Sequence, residues 1–166
     1  MARSAMQLSA VQPLLPPEFP RLVEVWEASV RATHDFLAEE DVLAYRGMVQ
    51  AGLPQVKNLF GVRGPGREVV GFMAVEGDKL EMLFVHPDWR GAGVGRRLMG
   101  YAVSELGVVA VDVNEQNEQA VGFYHKMGFE VAGRSQVDGT GRPYPLLHLR
   151  LVGAKPGPKG QGGDWA

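Results

Sequence analysis

A glycine-rich segment in the middle of the chain has the composition of a phosphate-binding loop. Residues 83–100 read LFVHPDWRGAGVGRRLMG: an apolar strand end, a turn, glycines at alternate positions, and then apolar residues at helical spacing. A helix N-terminus exposes N–H groups and the positive end of the helix dipole, and glycine lets the backbone approach an anion closely. Arg90 and Arg96 flank the loop and can add charge-assisted hydrogen bonds. The segment predicts an anion cradle, with a tight strand-to-helix turn as the alternative.

The spacing of these glycines excludes two well-known phosphate loops. A Walker A loop counted from Gly91 would need glycine and lysine where Arg96 and Arg97 stand. The dinucleotide fingerprint also fails, because its third glycine would fall on Arg96 or on Leu98. The pattern that remains is R-x-x-G-x-G, at residues 90–95.

A second motif follows at residues 113–129, VNEQNEQAVGFYHKMGF, where a strand end leads into a short helix closed by Gly128. It carries Asn117, Ala120, Phe123 and Tyr124. In order, spacing and flanking structure, the two motifs resemble those of the GNAT acetyltransferases over residues 80–131. The chain is also similar to the bacterial YjaB-type subgroup through SVRATHDFL at residues 29–37, VNEQNEQAVGFY, and GRPYPLL at residues 141–147.

The resemblance implies acetyl-coenzyme A (acetyl-CoA) as co-substrate and assigns its contacts by position. The amides of the glycine loop would hold the pyrophosphate, and the strand before the loop would pair with the pantetheine arm. Asn117 would contact the pantetheine or thioester end, with Tyr124 beside the sulfur. The family's splaying of two parallel strands would open a slot between residues 80–85 and residues 108–113. The predicted cofactor-binding residues are Leu83, Phe84, Val85, Arg90, Gly91, Ala92, Gly93, Val94, Gly95, Arg96, Asn117 and Tyr124.

Tyr124 is the candidate general acid. Aminolysis of a thioester releases a thiolate. The pKa of a thiol, about 8.5, lies below the tyrosine pKa of about 10, so the thiolate gains most from a hydrogen bond or a proton that is supplied in the transition state. A core position is the alternative for Tyr124, although Phe123 is the better core candidate of the pair.

Glu81 is the candidate base. A lysine amine with a pKa of about 10.4 is almost wholly protonated at neutral pH, so a base or a proton path to water is needed. Many relatives place an acidic residue at this strand position, while a solvent-facing carboxylate is the alternative. The Val85 amide would polarise the thioester carbonyl. Asn114 and Glu115 either orient the acceptor or end the strand.

The acceptor side is predicted around His34 and Asp35, in the turn between the first two helices, a region that borders the acceptor site in the family. Histidine can act as a base or orient the acceptor, whereas an ordinary helix cap also explains Asp35. Tyr144, and His148 further along the last strand, would line the same opening from the other side or be structural. The acidity of residues 34–41 favours a cationic acceptor, and a solvated charged face is the alternative.

Composition excludes several other classes of protein. The 166 residues include no cysteine, which removes disulfides, thiolate metal sites and a cysteine nucleophile. With a formal charge of −2 and scattered basic residues, we expect no nucleic-acid partner, and without a long apolar run we expect no membrane span. We also expect a cytoplasmic protein and, as the symmetric default, a possible homodimer. No metal is predicted, because the histidines lack zinc-site spacing: His34, His86, His125 and His148.

The elements that must position these residues alternate in type along the chain. Hydrophobic periodicity and turn signals predict a single α/β domain at residues 1–153, followed by a flexible Gly/Pro/Lys tail at residues 154–166. The expected fold is one mixed sheet of six to seven strands, in which an antiparallel meander precedes a β-α-β-α-β unit, with helices on both faces. The predicted strands are 7–14, 56–62, 68–75, 79–85, 108–113, 129–137 and 144–152, and the predicted helices are 18–33, 39–51, 94–106 and 118–127.

Together these features predict an N-acetyltransferase that moves an acetyl group from acetyl-CoA to a primary amine, possibly a protein lysine, by direct attack in a ternary complex. The missing cysteine removes the most obvious covalent carrier. The alternatives are a catalytically silent CoA-binding sensor or interaction module, an enzyme for another acyl-CoA, and a phosphate-binding module unrelated to CoA. The acceptor stays open among protein lysine, protein N-terminus, polyamine, amino acid and drug amine.

Overall fold

A seven-stranded mixed sheet lies at the centre of the structure, a computed structural model that describes residues 7–153. The predicted tail at residues 154–166 lies outside the described residues. Within residues 7–153, no helix has both the length and the apolarity needed to cross a bilayer. The strands are β1 Gln12–Pro13, β2 Asn58–Arg63, β3 Val69–Glu76, β4 Lys79–Val85, β5 Ala110–Asn114, β6 Phe129–Ser135 and β7 Leu146–Leu151, and the helices are α1 Phe19–Thr33, α2 Glu39–Gly52, α3 Val94–Leu106 and α4 Glu118–Lys126.

The strands follow the order β1-β2-β3-β4-β5-β7-β6 across the sheet. All neighbours are antiparallel except β4 and β5, which are parallel and are connected through α3. Strands β2 to β4 form the predicted meander, and β4-α3-β5-α4-β6 forms the predicted alternation of strands and helices. The predicted fold class is therefore confirmed.

Two of the predicted strands that extend beyond the observed ones contain a proline. β1 covers only two residues of the predicted 7–14, Gln12 and Pro13, and a 3₁₀ helix follows at Pro16–Glu18. β7 begins at Leu146 rather than at residue 144, because Pro145 cannot donate and the N–H of Tyr144 bonds back to the Arg142 carbonyl at 2.8 Å. Both corrections leave the strand order unchanged.

Each face of the sheet is covered by a separate helical layer. Helices α3 and α4 pack on one face, and α1 and α2 pack on the other. The predicted amphipathic helix α1 is confirmed, because its apolar stripe is buried. Within that stripe, Trp26 contacts Phe84 of β4 edge-on, with ring centroids 6.4 Å apart. The buried stripe consists of Leu22, Val25, Trp26 and Val30.

A β-bulge in β4 changes which side chains face each layer. Val75 of β3 is opposite Leu80, and the preceding Ala74 is opposite Met82, so Glu81 is the extra residue on β4. Leu80 packs in the layer of α3, whereas Met82 packs in the layer of α1. The bulge therefore places a carboxylate where β4 and β5 begin to separate.

Candidate active site

A cavity of about 580 Å³ opens between β4 and β5. The two strands are paired only at Lys79 with Ala110 and at Leu80 with Val111. Beyond these pairs they diverge, and residues 81–85 of β4 face residues 111–114 of β5 across the cavity. All the predicted cofactor residues line it, as do Glu81 and His34.

The edge of β4 presents backbone groups to this cavity. The N–H of His86 donates to the Val70 carbonyl of β3 at 2.8 Å. Because successive residues of a strand direct their N–H groups to opposite sides, the N–H of Val85, like that of Leu83, is directed away from β3 and into the slot. An extended ligand can therefore pair with this edge as another strand would.

The glycine loop brings a helix N-terminus to the wall of the cavity. Gly91 and Gly93 have φ values of 76° and 88°, in the left-handed region that favours glycine. Gly93 is the N-cap of α3, and the N–H of Arg97 makes the first helical bond, to the Gly93 carbonyl at 3.0 Å. The amides of Val94, Gly95 and Arg96 therefore have no partner within the helix, which suits them to bind an anion.

Tyr124 extends from α4 into the opposite wall. Its ring is held edge-on by Phe123 and Phe129, with centroids 5.2 Å and 6.1 Å away. Burial raises the pKa of Tyr124 well above its ordinary value, so the hydroxyl stays protonated and can donate a hydrogen bond. The interpretation of Phe123 as the better core residue was wrong: Tyr124 is the buried member of the pair, while Phe123 is half-buried and lines the cavity.

Three polar residues at the end of β5 have different environments. Asn117 is the N-cap of α4 and accepts from the Ala120 N–H at 3.2 Å, which leaves its amide NH₂ group for other partners. Asn114 is buried and lines the cavity. Glu115 instead pairs with Arg134 at 2.5 Å, outside the cavity lining. The position of Asn114 is thus suited to contact a ligand, and that of Glu115 is not.

His34 enters the cavity at the C-terminal end of α1. Thr33 Oγ1 donates its single hydrogen to the Ser29 carbonyl at 2.7 Å, so it accepts the Nδ1 hydrogen of His34, also at 2.7 Å. Nε2 is then a free acceptor. Burial, reinforced by the charge of Arg90, lowers the pKa of His34 to about 4 against the opposing effect of Asp35, so the ring is neutral at pH 7.

The other two predicted acceptor residues lie outside the cavity lining. Asp35 is exposed, and it is not the cap of α2, whose N-cap is Ala38 without a side-chain bond. The Tyr144 hydroxyl donates to Asp41 and accepts from the Ala38 N–H at 3.2 Å, which ties the loop before β7 to α2. Neither Asp35 nor Tyr144 therefore lines the cavity in which an acceptor was predicted to meet them.

Sequence reasoning missed four polar residues of the cavity wall, namely Ser29, Thr33, Asp112 and Gln119. The available signal was Ser29, a polar residue that continues the apolar stripe of α1 and is buried. Thr33 follows one helical turn later. Asp112 gave no comparable signal, because its position depends on the pairing of β5. Among the described residues, no group of three or more His, Asp or Glu side chains is arranged to hold a metal ion.

The splayed strands enclose a cavity beside a helix terminus that is suited to bind an anion, as an acyltransferase with a CoA co-substrate requires. Residues 36–142 match the family described as Acetyltransferase (GNAT) domain. The chain therefore belongs to the GNAT acetyltransferase family, and the predicted enzyme class, an N-acetyltransferase, is confirmed.

Individual relatives agree with this assignment. The chain is 48% identical over 137 residues to the peptidyl-lysine N-acetyltransferase YjaB of Escherichia coli strain K12. This alignment covers 82% of this chain and 92% of that protein. The solution structure of apo-form YjaB from Escherichia coli matches with a TM-score of 0.81 and 46% identity, over 89% of this chain and 99% of that one. PaiA N-acetyltransferase from Thermoplasma acidophilum, crystallised in complex with coenzyme A, shares the fold, with a TM-score of 0.64 and 18% identity over 87% of this chain and 99% of that one.

Proposed function

We propose that this enzyme transfers an acetyl group from acetyl-CoA to lysine side chains of proteins. The observation that carries the proposal is the continuity of the cavity, which extends from the glycine loop, between the splayed strands, to the end of α1. Helices α3 and α1 lie on opposite faces of the sheet. A cofactor and an amine can therefore approach each other from opposite faces, which supports direct attack in a ternary complex.

The glycine loop and β4 would hold the cofactor. The pyrophosphate would accept hydrogen bonds from the first amides of α3, with charge contributed by Arg90 and Arg96. The pantetheine arm would pair with the open edge of β4, and the Val85 N–H would donate to the thioester carbonyl. That donor would be worth most in the transition state, when the carbonyl oxygen becomes an oxyanion.

Tyr124 and Glu81 would manage the protons. The amine nitrogen attacks the thioester carbon, a C–N bond forms, and the C–S bond breaks to release the CoA thiolate. Tyr124 would donate its hydroxyl hydrogen bond to that sulfur. Glu81, directly or through a water, would take the proton that the amine loses. His34, neutral with an open Nε2, would accept a hydrogen bond from the amine and orient it.

Protein lysine is favoured as the acceptor by the relatives. YjaB and a second Escherichia coli protein, YiaC, 27% identical over 137 residues, are both named peptidyl-lysine N-acetyltransferases. The acidic segment near the cavity adds little support. Glu39 is paired with Arg31 at 2.7 Å, and Asp41 is paired with Arg142 at 3.0 Å, so much of its charge is already compensated.

Thiol release by the purified protein tests the proposal. The panel compares a lysine peptide with a blocked N-terminus, a peptide with a free N-terminus and acetylated lysine, and spermidine, each with acetyl-CoA. We expect the first to react fastest, with the acetyl group located on the lysine Nε by mass spectrometry. Preference for either other amine would refute the acceptor assignment. Tight acetyl-CoA binding without turnover on any amine would instead indicate the silent CoA-binding module.

A matched pair of tyrosine variants tests the role of Tyr124. We expect Tyr124→Phe to lower kcat by about 10²-fold, with the calorimetric Kd for acetyl-CoA unchanged, because a hydrogen bond to the leaving group acts in the transition state. Tyr101→Phe is the control, since Tyr101 packs on Phe60 with centroids 5.2 Å apart and is absent from the cavity lining. A Tyr124→Phe variant with wild-type kcat would remove Tyr124 from the mechanism.

A further inference from the structure

The last turn of α1 fixes the ring of His34 at the cavity wall. The N–H of His34 continues the helical pattern by donating to the Val30 carbonyl at 2.7 Å, and the His34 carbonyl accepts from the Leu37 N–H at 3.0 Å. The ring packs on Phe36, with centroids 5.2 Å apart. His34 is only 8% exposed, so protein encloses most of its surface and the ring has little freedom to turn.

Thr33 and Ser29 determine which ring nitrogen of His34 carries the hydrogen. Thr33 Oγ1 is 2.7 Å from the Ser29 carbonyl oxygen and 2.7 Å from His34 Nδ1. Both contacts are hydrogen bonds only when the Thr33 hydroxyl donates to the carbonyl and Nδ1–H of His34 donates to Thr33. A hydroxyl turned towards Nδ1 would leave two oxygen atoms at 2.7 Å with no hydrogen between them. The hydrogen of neutral His34 is therefore on Nδ1, and Nε2 keeps its lone pair.

Nε2 is an uncharged hydrogen-bond acceptor that the protein itself does not satisfy. Within residues 7–153 it bonds to no other group, and it is not among the buried polar atoms that the fold seals off. Three charged side chains surround the ring: Arg90 from the glycine loop, Asp35 in the turn after α1, and Glu81 across the cavity on β4. Burial and the charge of Arg90 keep the pKa of His34 low enough that the ring is neutral at pH 7.

A ligand that binds beside an acceptor of this kind must bring a donor. A carboxylate or a phosphate only accepts, so neither suits Nε2. A primary amine does suit it, because two N–H groups remain when the lone pair attacks the thioester. His34 also lies on the face of α1, opposite α3, from which the amine would approach in the proposed reaction.

We infer that Thr33 is a positioning residue for the acceptor amine, an inference that rests on the proposed acetyl transfer. By holding the hydrogen of His34 on Nδ1, Thr33 keeps Nε2 as the atom that accepts an N–H bond of the amine. Ser29 contributes its carbonyl, which takes the Thr33 hydroxyl hydrogen. No proton is transferred to the ring, and the amine proton still leaves through Glu81 or its water. With the hydrogen on Nε2 the ring would present a donor to a donor, and the amine would lose this contact.

Long-range ¹⁵N–¹H spectra at pH 7 test the tautomer without any turnover. In the wild type we expect the hydrogen on His34 Nδ1. Thr33→Val keeps the shape of the side chain but loses the hydroxyl, so the population should shift towards Nε2–H, and Thr33→Ser should restore the wild-type spectrum. A wild-type ring with its hydrogen on Nε2 would overturn this role of Thr33 even if the enzyme acetylates lysine.

Steady-state kinetics with the lysine peptide test the consequence for the acceptor. At saturating acetyl-CoA we expect Thr33→Val to raise the KM for the peptide about tenfold, because one hydrogen bond to the amine is weakened, and to leave the Kd for acetyl-CoA unchanged. Thr33→Ser should recover most of the loss. The control is Thr140→Val, the same change at the other threonine of the chain, whose hydroxyl bonds to Asp138 at 2.6 Å outside the cavity lining.

A double-mutant cycle with His34→Phe separates positioning from a purely structural role. This variant keeps a ring to pack on Phe36 and removes both nitrogens, so Thr33→Val should raise KM no further in its background. A further tenfold rise would show that Thr33 acts without His34 and would overturn its positioning role, as would a wild-type KM in Thr33→Val alone. A wild type that acetylates no amine would instead refute the proposed function, and the role of Thr33 with it.

Discussion

Replacing Gly93 with alanine tests the backbone conformation on which the predicted pyrophosphate cradle depends. Gly93 caps α3 at φ 88° and ψ 13°, and an added Cβ would meet no atom within 4 Å, so the cost is conformational rather than steric. The left-handed conformation costs an L-residue about 1–2 kcal/mol, and the stiffer unfolded chain offsets about 0.4–1 kcal/mol of it. We therefore expect a loss of about 1 kcal/mol in the free energy of unfolding, measured by urea titration. Relaxation of φ would turn the first amides of α3 away, so we also expect the Kd for acetyl-CoA to rise about tenfold, which corresponds to about 1.4 kcal/mol.

Gly100→Ala is the matched control within the same helix. Gly100 lies inside α3 with open space around its Cα, and it is absent from the residues with positive φ. The same added methyl group should there stabilise the protein by about 0.5–1 kcal/mol, because alanine is the better helix former. The affinity for acetyl-CoA should not change. Equal stabilities for the two variants, or wild-type affinity in Gly93→Ala, would refute the reasoning that connects the left-handed cap to the cradle.

Three further predictions concern groups that the fold has buried. The pKa of His34 is about 4 in the folded protein and about 6.5 in the unfolded chain, so the unfolded chain binds the proton more readily between these pH values. About 3 kcal/mol of stability that is present above pH 6.5 should therefore be lost by pH 4. Unfolding titrations of His34→Gln should show a smaller loss. Tyr45→Phe removes the donor to buried Asp138 and should cost about 1–2 kcal/mol, visible as a lower Tm, whereas an unchanged Tm would mean that water replaces the contact. The side chains of Lys79 and Asp112 are only about one-tenth exposed, and Lys79→Met leaves Asp112 without its cation. We expect this substitution to lower the free energy of unfolding in urea by about 3 kcal/mol. A stability equal to that of the wild type would show that the pair is solvated.

The elements that form the cofactor loop were predictable from local sequence. The predicted bounds of β4 and α3 agree with the structure at Lys79–Val85 and Val94–Leu106. Strand alternation, helical spacing and glycines at left-handed positions are all properties of neighbouring residues, so they can be read without knowing the rest of the fold. For the same reason the glycine motif predicted a set of residues that line one cavity.

The acceptor side was predicted less well, because its residues meet only through tertiary contacts. Sequence proximity grouped His34 with Asp35, but the turn after α1 buries the first and exposes the second. Tyr144 was predicted to face the acceptor, and the loop that carries it is instead bonded to α2. Phe123 and Tyr124 are adjacent in sequence, and only the packing of α4 on the sheet decided which of them is buried.

The sequence by itself determined the family, the order of strands and helices, and the loop with an exposed helix N-terminus, since each depends on short-range patterns. The tertiary structure decided the position of the β-bulge at Glu81, the separation of β4 from β5, and the ion pair of Lys79 with Asp112. That pair joins residues 33 positions apart on two strands. The physical reason is that a hydrogen-bonded ladder places side chains by strand order and register, which depend on how the whole sheet packs against its helices.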